Sequence, residues 1–454
     1  MAADNKAIIN EDSSTKKVIF KLAWPVIAEH SLATITHIVD MMMVGRLGAS
    51  AVAAIGLTMQ PVFFSTALAS ALGVGTTALV SRFTGSNENN KAASVLQQSV
   101  LLSIIFSLVF AAIFYFFAPA LLIFMGGEAE VIRLGTGYLR VMTPGFVFMV
   151  LAFIVTAALR GAGETKTPMK VNIVVNILNI VGNYLLIFGN FGFPRLGVNG
   201  AALATTIARS IGGIILLALT FSDYSVLKMK IKGFFKFDVE LTKRVLKIGI
   251  PTAMEESVRR LAQLLFIRVI ASLGTTSFAA HQISLNAESI SYMPGFGIAV
   301  AATTIVGQNL GARNPRGAEK GTFEAWKIGS IIMGSMGIIF LIFPEQLIRL
   351  LYTADPEIIS RAALNLRIIA LAQIPMGTHF IFSGALRGAG DTKAVFYSTA
   401  ISTWFFRLVL GYILVHPLGL GLVGAWTAMV IDWTVRGSYV FYRFKKEKWK
   451  LIDV

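Results

Sequence analysis

Apolar runs separated by short polar connections extend along the whole chain. A helix needs roughly 20 mostly apolar residues to cross a bilayer, and twelve runs reach about that length. They span 18–44, 51–82, 95–124, 136–159, 167–189, 199–221, 245–272, 276–309, 325–344, 362–386, 393–416 and 420–442. The pattern predicts an all-α integral membrane protein with twelve transmembrane helices.

Composition strengthens this prediction and excludes several classes of protein. Of the 454 residues, 55% are hydrophobic and 14% are charged, whereas soluble domains average about 25% charged residues. The chain has no cysteine, which excludes disulfides, thiolate metal sites and cysteine nucleophiles. The net charge of +16 lies between the apolar runs, where the positive-inside rule places it, so it does not indicate a nucleic-acid partner.

Lys and Arg are concentrated in every second connection between the runs. The strongest examples are KMKIKGFFKFDVELTKR after the sixth run and FKKEKWK near the end of the chain. Basic connections stay in the cytosol, so we predict a multi-pass plasma-membrane protein with both termini cytosolic. The opening MAADNKAIINEDSSTKK lacks the pattern of a cleaved signal peptide.

The second half of the chain repeats the first. The stretch from Pro25 aligns with the stretch from Pro251, 226 positions later, and this alignment pairs Glu29 with Glu255. Further along, ALRGAGETK after the fourth run returns as ALRGAGDTK after the tenth. Such agreement indicates an internal duplication.

The repeat predicts the domain organisation. Six spans in each half are an even number, so both halves have the same orientation in the membrane, as two parallel six-helix lobes. We assign residues 1–221 to an N-lobe that includes a cytosolic tail, 222–244 to a cytosolic linker, and 245–454 to a C-lobe with a basic tail.

Several of these stretches together resemble one family of transporters. They are VDMMMVGRLGASAVAAIGL, the two LRGAG loops, NYLLIFGNFGFPRLGVNGAALAT and AAHQISLNAESISYMPGFGIAVAATTIVGQNLGA. In these stretches the chain is similar to the multidrug and toxic compound extrusion (MATE) family, and the resemblance covers nearly the whole length of the chain. The resemblance implies two six-helix bundles around a V-shaped cleft. It also implies export of organic cations in exchange for Na⁺ or H⁺, with no cofactor besides that ion.

Asp40 is an acid inside the first apolar run, in THIVDMMMVGRLG. Thr36 and His37 share its helical face, which suggests a polar patch in the N-lobe, because ionisable groups in spans usually face a cavity or partner. The alternative is a residue near the interface that pairs locally with Arg46. The resemblance favours function, because the acid of the family's first helix aligns with Asp40. Pro25 lies upstream, where it removes a backbone hydrogen bond and predicts a helix kink.

The fifth run carries four asparagines on one helical stripe. They are Asn172, Asn176, Asn179 and Asn183, at spacings of 4, 3 and 4 residues. Such residues can join helices, but amide, hydroxyl and carboxylate oxygens also suit a hard cation such as Na⁺.

The resemblance maps the family's cation site onto this stripe. The mapped residues are Asp40, Asn179, Asn183 and Thr205. Some family members carry an acid where this chain has Asn183, and its loss weakens a mechanism that depends on protons alone. The residues leave both Na⁺ and H⁺ open, with the neutral oxygens favouring Na⁺.

The second half offers fewer candidates. Glu255 and Glu256 precede Arg259 and Arg260 by four residues each, which predicts either neutralising pairs within the helix or a cation site. The tenth run has no acid, which puts in doubt the second-lobe cation site known in one family branch. Possible second-lobe or substrate contacts are Glu255, Glu256, His281, Gln282 and Gln373.

Three classes of function compete. The leading hypothesis is a secondary antiporter that exports a cationic or amphipathic small molecule, working as a monomer in the lipid bilayer. The alternative is a flippase for lipid-linked precursors in the same superfamily, suggested by arginines in or beside the spans: Arg259, Arg260, Arg268 and Arg407. An enzyme is not expected, because no P-loop, HExxH or GxSxG motif occurs.

Overall fold

The computed structural model of the chain is built from helices, as the apolar pattern predicts. It describes residue 8 and residues 14–222, 225–230, 234–351 and 354–452, and none of these residues lies in a strand. The backbone contacts divide the chain into two compact units. The all-α membrane architecture predicted from the sequence is confirmed.

The first unit comprises the described residues of Ala28–Gly249. Its helices are α1 (Thr15–Gly45, from residue 28 onward), α2 (Ala49–Gly85), α3 (Asn89–Phe116), α4 (Ala118–Phe124), α5 (Ala129–Gly161), α6 (Lys166–Phe188), α7 (Val198–Phe221) and the start of α8 (Val239–Ala271). Within this unit, α5 packs against α2, α3 and α7, and α6 packs against α7.

The second unit comprises the described residues between 250 and 452, with residue 8 and residues 14–27. After α8 its helices are α9 (Thr275–Gly311), α10 (Pro315–Ile342), α11 (Pro344–Leu351), α12 (Pro356–Ala370), α13 (Gln373–Ala389), α14 (Thr392–Ile401), α15 (Leu410–Val415) and α16 (Gly421–Lys445). Within this unit, α9 packs against α10, α12 and α13, and α13 packs against α16. A π-helical segment, Ser402–Val409, joins α14 to α15.

Each of the twelve predicted spans falls on a helix or a helix pair. In the described part of the chain, nine helical stretches are long and apolar enough to cross a membrane, and the pair α12–α13, bent by 56°, makes a tenth. The helices at the two other predicted positions, α8 and α16, carry charged residues near their middles. Several of those charges form ion pairs: Glu255, Glu256 and Arg259 in α8, and Asp432 and Arg436 in α16.

Both LRGAG loops end a helix in the same way. Gly163 follows α5 with φ of +86°, and Gly390 follows α13 with φ of +89°. This left-handed conformation is cheap only for glycine, and it turns the chain sharply at a helix end. The duplicated sequence therefore specifies duplicated turns.

The division between the units falls inside α1. The early residues Ile19, Leu22 and Ala23 pack in the second unit against Ile298 of α9 and Ile381 of α13. From Ala28 onward α1 belongs to the first unit, so the change follows Pro25 by less than one turn. The helix is continuous through this proline, and the kink, like the lobe boundaries at 221 and 245, stays a prediction.

Close helix packing in the second unit depends on glycine. A Cβ atom on Gly388 of α13 would collide with the backbone carbonyl of Thr303 on α9, whereas a Cβ on Gly56 of α2 would meet nothing. We expect Gly388→Ala to lower stability by roughly 1–3 kcal/mol, because overpacking forces the backbones apart. Gly56→Ala should have no such effect. Thermal unfolding of the two purified variants measures the difference, and equal melting temperatures would contradict the packing explanation.

Candidate functional site

A cavity of about 180 Å³ lies within the first unit, between α1, α2, α5, α6 and α7. Its wall combines apolar side chains with a concentration of polar ones. The polar lining residues are Thr36, His37, Asp40, Tyr138, Asn176, Asn179, Asn183, Thr205 and Arg209. All four residues of the predicted cation site therefore face one cavity, together with the predicted neighbours of Asp40.

Asp40 is held by amides of α6. Nδ2 of Asn183 donates a hydrogen bond of 2.6 Å to Oδ1 of Asp40. Nδ2 of Asn179, with its amide oriented to satisfy its neighbours, donates to Oδ1 and Oδ2, each 3.0 Å away. Oδ1 of Asn179 then accepts from Oγ1 of Thr205 at 3.0 Å. The carboxylate thus receives N–H groups from neighbouring turns of one helix and is not paired locally with Arg46.

The two other asparagines of the stripe differ in role. Asn176 lines the cavity, while its Nδ2 donates to the backbone oxygen of Asn172 at 2.7 Å. Asn172 itself donates to Oε1 of Glu29 at 2.7 Å, outside the set of cavity-lining residues. The stripe therefore serves two different acids, one near each end of the helix.

The oxygen atoms around the cavity can coordinate a cation only after the amide side chains of Asn179 and Asn183 rotate. Oδ1 of Asn183 is buried and accepts no hydrogen bond from the described residues. Rotating the amides of Asn179 and Asn183 exchanges donors for acceptors and turns oxygens toward Asp40. Carboxylate, amide and hydroxyl oxygens are suitable ligands for Na⁺, so the residue types fit Na⁺, although Asn183 presents an N–H group to Asp40, as does Asn179 in the orientation that satisfies its neighbours.

Sequence reasoning missed two residues of the cavity. Tyr138 of α5 is fully within the core and its hydroxyl reaches Thr205. Arg209 of α7 lies one helical turn beyond Thr205, within electrostatic range of Asp40. Tyr138 lies in an apolar run, and no sequence pattern marks it as a residue of the cavity. Arg209 was detectable, because it is an arginine inside the sixth run.

An ion pair occurs at equivalent positions in each unit. In the first, Nη2 of Arg160 lies 2.7 Å from Oε2 of Glu29. In the second, Nη2 of Arg387 donates to both carboxylate oxygens of Glu255 at 2.8 and 2.9 Å. Each arginine comes from an LRGAG loop and each acid from the first span of its half. We call these pairs the repeat ion pairs.

The repeat ion pair corrects the pairing predicted on α8. Glu255 bonds Arg387 and also accepts from Oγ1 of Thr399 at 3.0 Å. Glu256 instead pairs with Arg259, three residues later. Two predicted i,i+4 pairs are therefore wrong: Glu255 with Arg259, and Glu256 with Arg260. The buried Glu255 pairs instead with a long-range partner, Arg387, whose side chain is better shielded from water than that of Arg259.

The other second-lobe candidates do not meet in one site. His281 of α9 packs edge-on between Phe266 and Trp426, and Gln282 is exposed. Gln373 is fully buried and accepts a short hydrogen bond from Ser291. Their suggested contacts with substrate or cation stay predictions.

The densest charge cluster of the second unit surrounds Asp432. This carboxylate is fully buried and lies 2.7 Å from Nε of Arg436 and 2.8 Å from Nε of Arg407. Trp433 presents its ring to both guanidinium groups at 4.9 and 5.3 Å. Arg407 belongs to the π-helical segment Ser402–Val409, a helix defect common at functional sites. The cluster neutralises charges that would otherwise be costly in a span.

Comparison with known proteins identifies relatives along most of the chain. The MatE family model matches residues 25–185 and again 251–413, which independently recovers the internal repeat. A probable multidrug resistance protein NorM from Thermotoga maritima is 33% identical over 435 residues, covering 96% of this chain and 93% of the relative. The uncharacterized transporter YisQ of Bacillus subtilis is 32% identical, covering 95% and 94%.

Solved structures agree with the fold. MATE in a straight conformation superposes with a TM-score of 0.88 at 26% identity, covering 97% of this chain and 98% of that chain. A MOP superfamily transporter from Pyrococcus furiosus superposes with a TM-score of 0.88 at 25% identity and 96% coverage of both chains. The similarity therefore extends over both units.

Proposed function

The chain belongs to the MatE family of multidrug transporters, and from this premise we propose that it exports cationic or amphipathic compounds by exchanging them for protons at Asp40. The observation that carries the proposal is the carboxylate of Asp40 in a cavity whose other acceptors are neutral. An acid in such a place binds one positive group at a time. Substrate and coupling ion therefore compete for it.

Competition is the physical requirement for exchange. A ligand shifts a two-state transporter only if it binds one state better than the other. When a proton occupies Asp40, the attraction for a cationic substrate is lost. When the proton leaves, the carboxylate can accept the next substrate. Export follows if the protonated form favours the state that opens outward.

One feature of the cavity supports H⁺ over Na⁺ as the coupling ion. Asn183 directs an N–H group at Asp40, and so does Asn179 in the amide orientation that satisfies its neighbours, so Na⁺ binding must first break these bonds. Arg209 places a permanent positive charge in the same cavity, which opposes the binding of a proton and of Na⁺ alike and therefore does not distinguish the two ions. This reverses the preference for Na⁺ that the oxygen count alone supports.

Two of the four arginines that suggested the flippase alternative give it less support in the structure. Arg259 is paired with Glu256, and Arg407 with Asp432, so both are partly neutralised and less available for phosphates. The chain is also 33% and 30% identical to two proteins described as probable multidrug resistance proteins. We further propose a plasma-membrane location with cytosolic termini, which the distribution of basic connections supports.

Reconstituted vesicles test the proposal directly. Proteoliposomes loaded with the cationic dye rhodamine 6G receive either a pH gradient or a Na⁺ gradient, each imposed alone. We expect a pH gradient at constant Na⁺ to drive dye movement at least about tenfold faster than in protein-free vesicles, and collapse of the gradient to abolish it. Driving by Na⁺ at constant pH would overturn proton coupling, and no driven movement under either gradient would overturn antiport.

A further inference from the structure

Arg209 introduces a second charge into the Asp40 cavity. It lines the same wall as Thr205, and Nη1 lies 2.7 Å from Sδ of Met149, a weak acceptor. Among the residues that the structure describes, no carboxylate lies within ion-pair distance of this guanidinium. The cavity thus contains a negative and a positive group that both remain open to a ligand.

Arg209 differs in this respect from several other arginines inside the spans. Arg160, Arg387 and Arg436 each contact a carboxylate at 2.7 or 2.8 Å, as buried arginines normally do. An arginine held in a span without such a contact is costly, and its default interpretation is a binding site. Guanidinium groups bind carboxylates through two parallel N–H bonds.

The cavity volume limits what binds there. Pockets for whole drug-sized molecules measure roughly 300–1,000 Å³, whereas this cavity measures about 180 Å³. It therefore accommodates one end of an amphipathic molecule rather than all of it. That end meets amide groups, Asp40 and Arg209 together.

We propose that Arg209 binds an acidic group of the substrate, so that the cavity selects zwitterionic amphiphiles that carry a carboxylate as well as a cationic group. The carboxylate bonds the guanidinium of Arg209, and the cationic group interacts with Asp40. This inference deepens the proposed export function and rests on it for its biological meaning. The binding selectivity itself does not depend on coupling.

A matched pair of dyes separates this role from a structural one. Rhodamine 110 carries a free benzoate, and rhodamine 123 is its methyl ester, so the two differ by one negative charge. Binding to the purified protein is measured by fluorescence polarisation for the wild type and for Arg209→Gln and Arg209→Met. Lys170→Gln, which removes an exposed cation of α6, is the control, and Arg209→Lys tests rescue by a retained charge.

We expect both neutral variants to bind rhodamine 110 at least about tenfold more weakly, while their affinity for rhodamine 123 changes less than about twofold. Arg209→Lys should regain part of the preference for the acid, and Lys170→Gln should behave as the wild type. Equal losses for both dyes would show a structural role and overturn the proposal, as would unchanged affinities or a wild type that does not bind rhodamine 110.

Transport distinguishes failure of this inference from failure of the proposed function. Gradient-driven export of rhodamine 6G without a difference between the two binding dyes would leave the antiporter proposal intact and remove the role of Arg209. Selective binding of rhodamine 110 without driven export would leave the role of Arg209 intact and remove antiport.

Discussion

Asp40→Asn should reduce gradient-driven export of rhodamine 6G to no more than about a tenth of the wild-type rate. Asparagine has nearly the shape of aspartate but cannot take up or release a proton. It also offers no negative charge to a cationic substrate, so both partners of the exchange lose their shared group. Initial rates in proteoliposomes under an imposed pH gradient measure the effect.

A matched variant shows whether the loss is specific to the cavity. Glu130→Gln neutralises an exposed acid of α5 in the same unit, and its export rate should match the wild type. The folded fraction of Asp40→Asn is checked by size-exclusion chromatography, since the amides of α6 still find a polar partner. Driven export by Asp40→Asn at the wild-type rate would remove Asp40 from the coupling mechanism.

Asp432→Asn should be the most destabilising single change in the second unit. It leaves Arg407 and Arg436 in a span without a carboxylate, and breaking a buried ion pair from one side costs about 3–5 kcal/mol. For a chain of 454 residues, a loss of that size corresponds to a fall in melting temperature of roughly 3–5 °C. Thermal unfolding of the detergent-solubilised protein measures it.

Removing one of the two arginines left without a carboxylate tests whether unpaired charge causes the loss of stability. Combining Asp432→Asn with Arg436→Met should recover part of the melting temperature, because the uncompensated charge is then smaller. Glu357→Gln breaks a solvent-exposed pair with Arg361 and should cost no more than about 1 kcal/mol. If Asp432→Asn melts like the wild type, the cluster is not the stabilising feature that its geometry indicates.

The architecture was predictable because the bilayer simplifies the problem. Each span must satisfy its backbone hydrogen bonds internally, so length and hydropathy determine helices nearly by themselves. The chain shows the limit of this rule in α8 and α16, whose apolar character is interrupted by charges, and Glu255 and Asp432 among them find partners on other helical segments. The bend of 56° between α12 and α13 lies just before Pro375, a residue that lacks the N–H and clashes with the carbonyl four residues back, and a hydropathy pattern does not record this effect.

The candidate site was predictable where it depends on local geometry. Asn179 and Asn183 stand one turn apart on α6 and therefore face the same neighbour, which is Asp40. Tyr138 was not predictable, because nothing in α5 indicates that its hydroxyl meets α7. Glu255 was mispredicted for a similar reason, since a spacing of four residues suggested Arg259 while the actual partner lies 132 residues away.

The repeat ion pairs have a consequence for how such a chain diversifies. Both halves retained the same acid and the same loop arginine after duplication, so these residues serve a need that the halves share. Asp40 has no charged twin in the second half, where Phe266 aligns with it. One half is therefore free to acquire new ligand chemistry through a few substitutions in a single cavity, while the inherited scaffold of both halves stays unchanged.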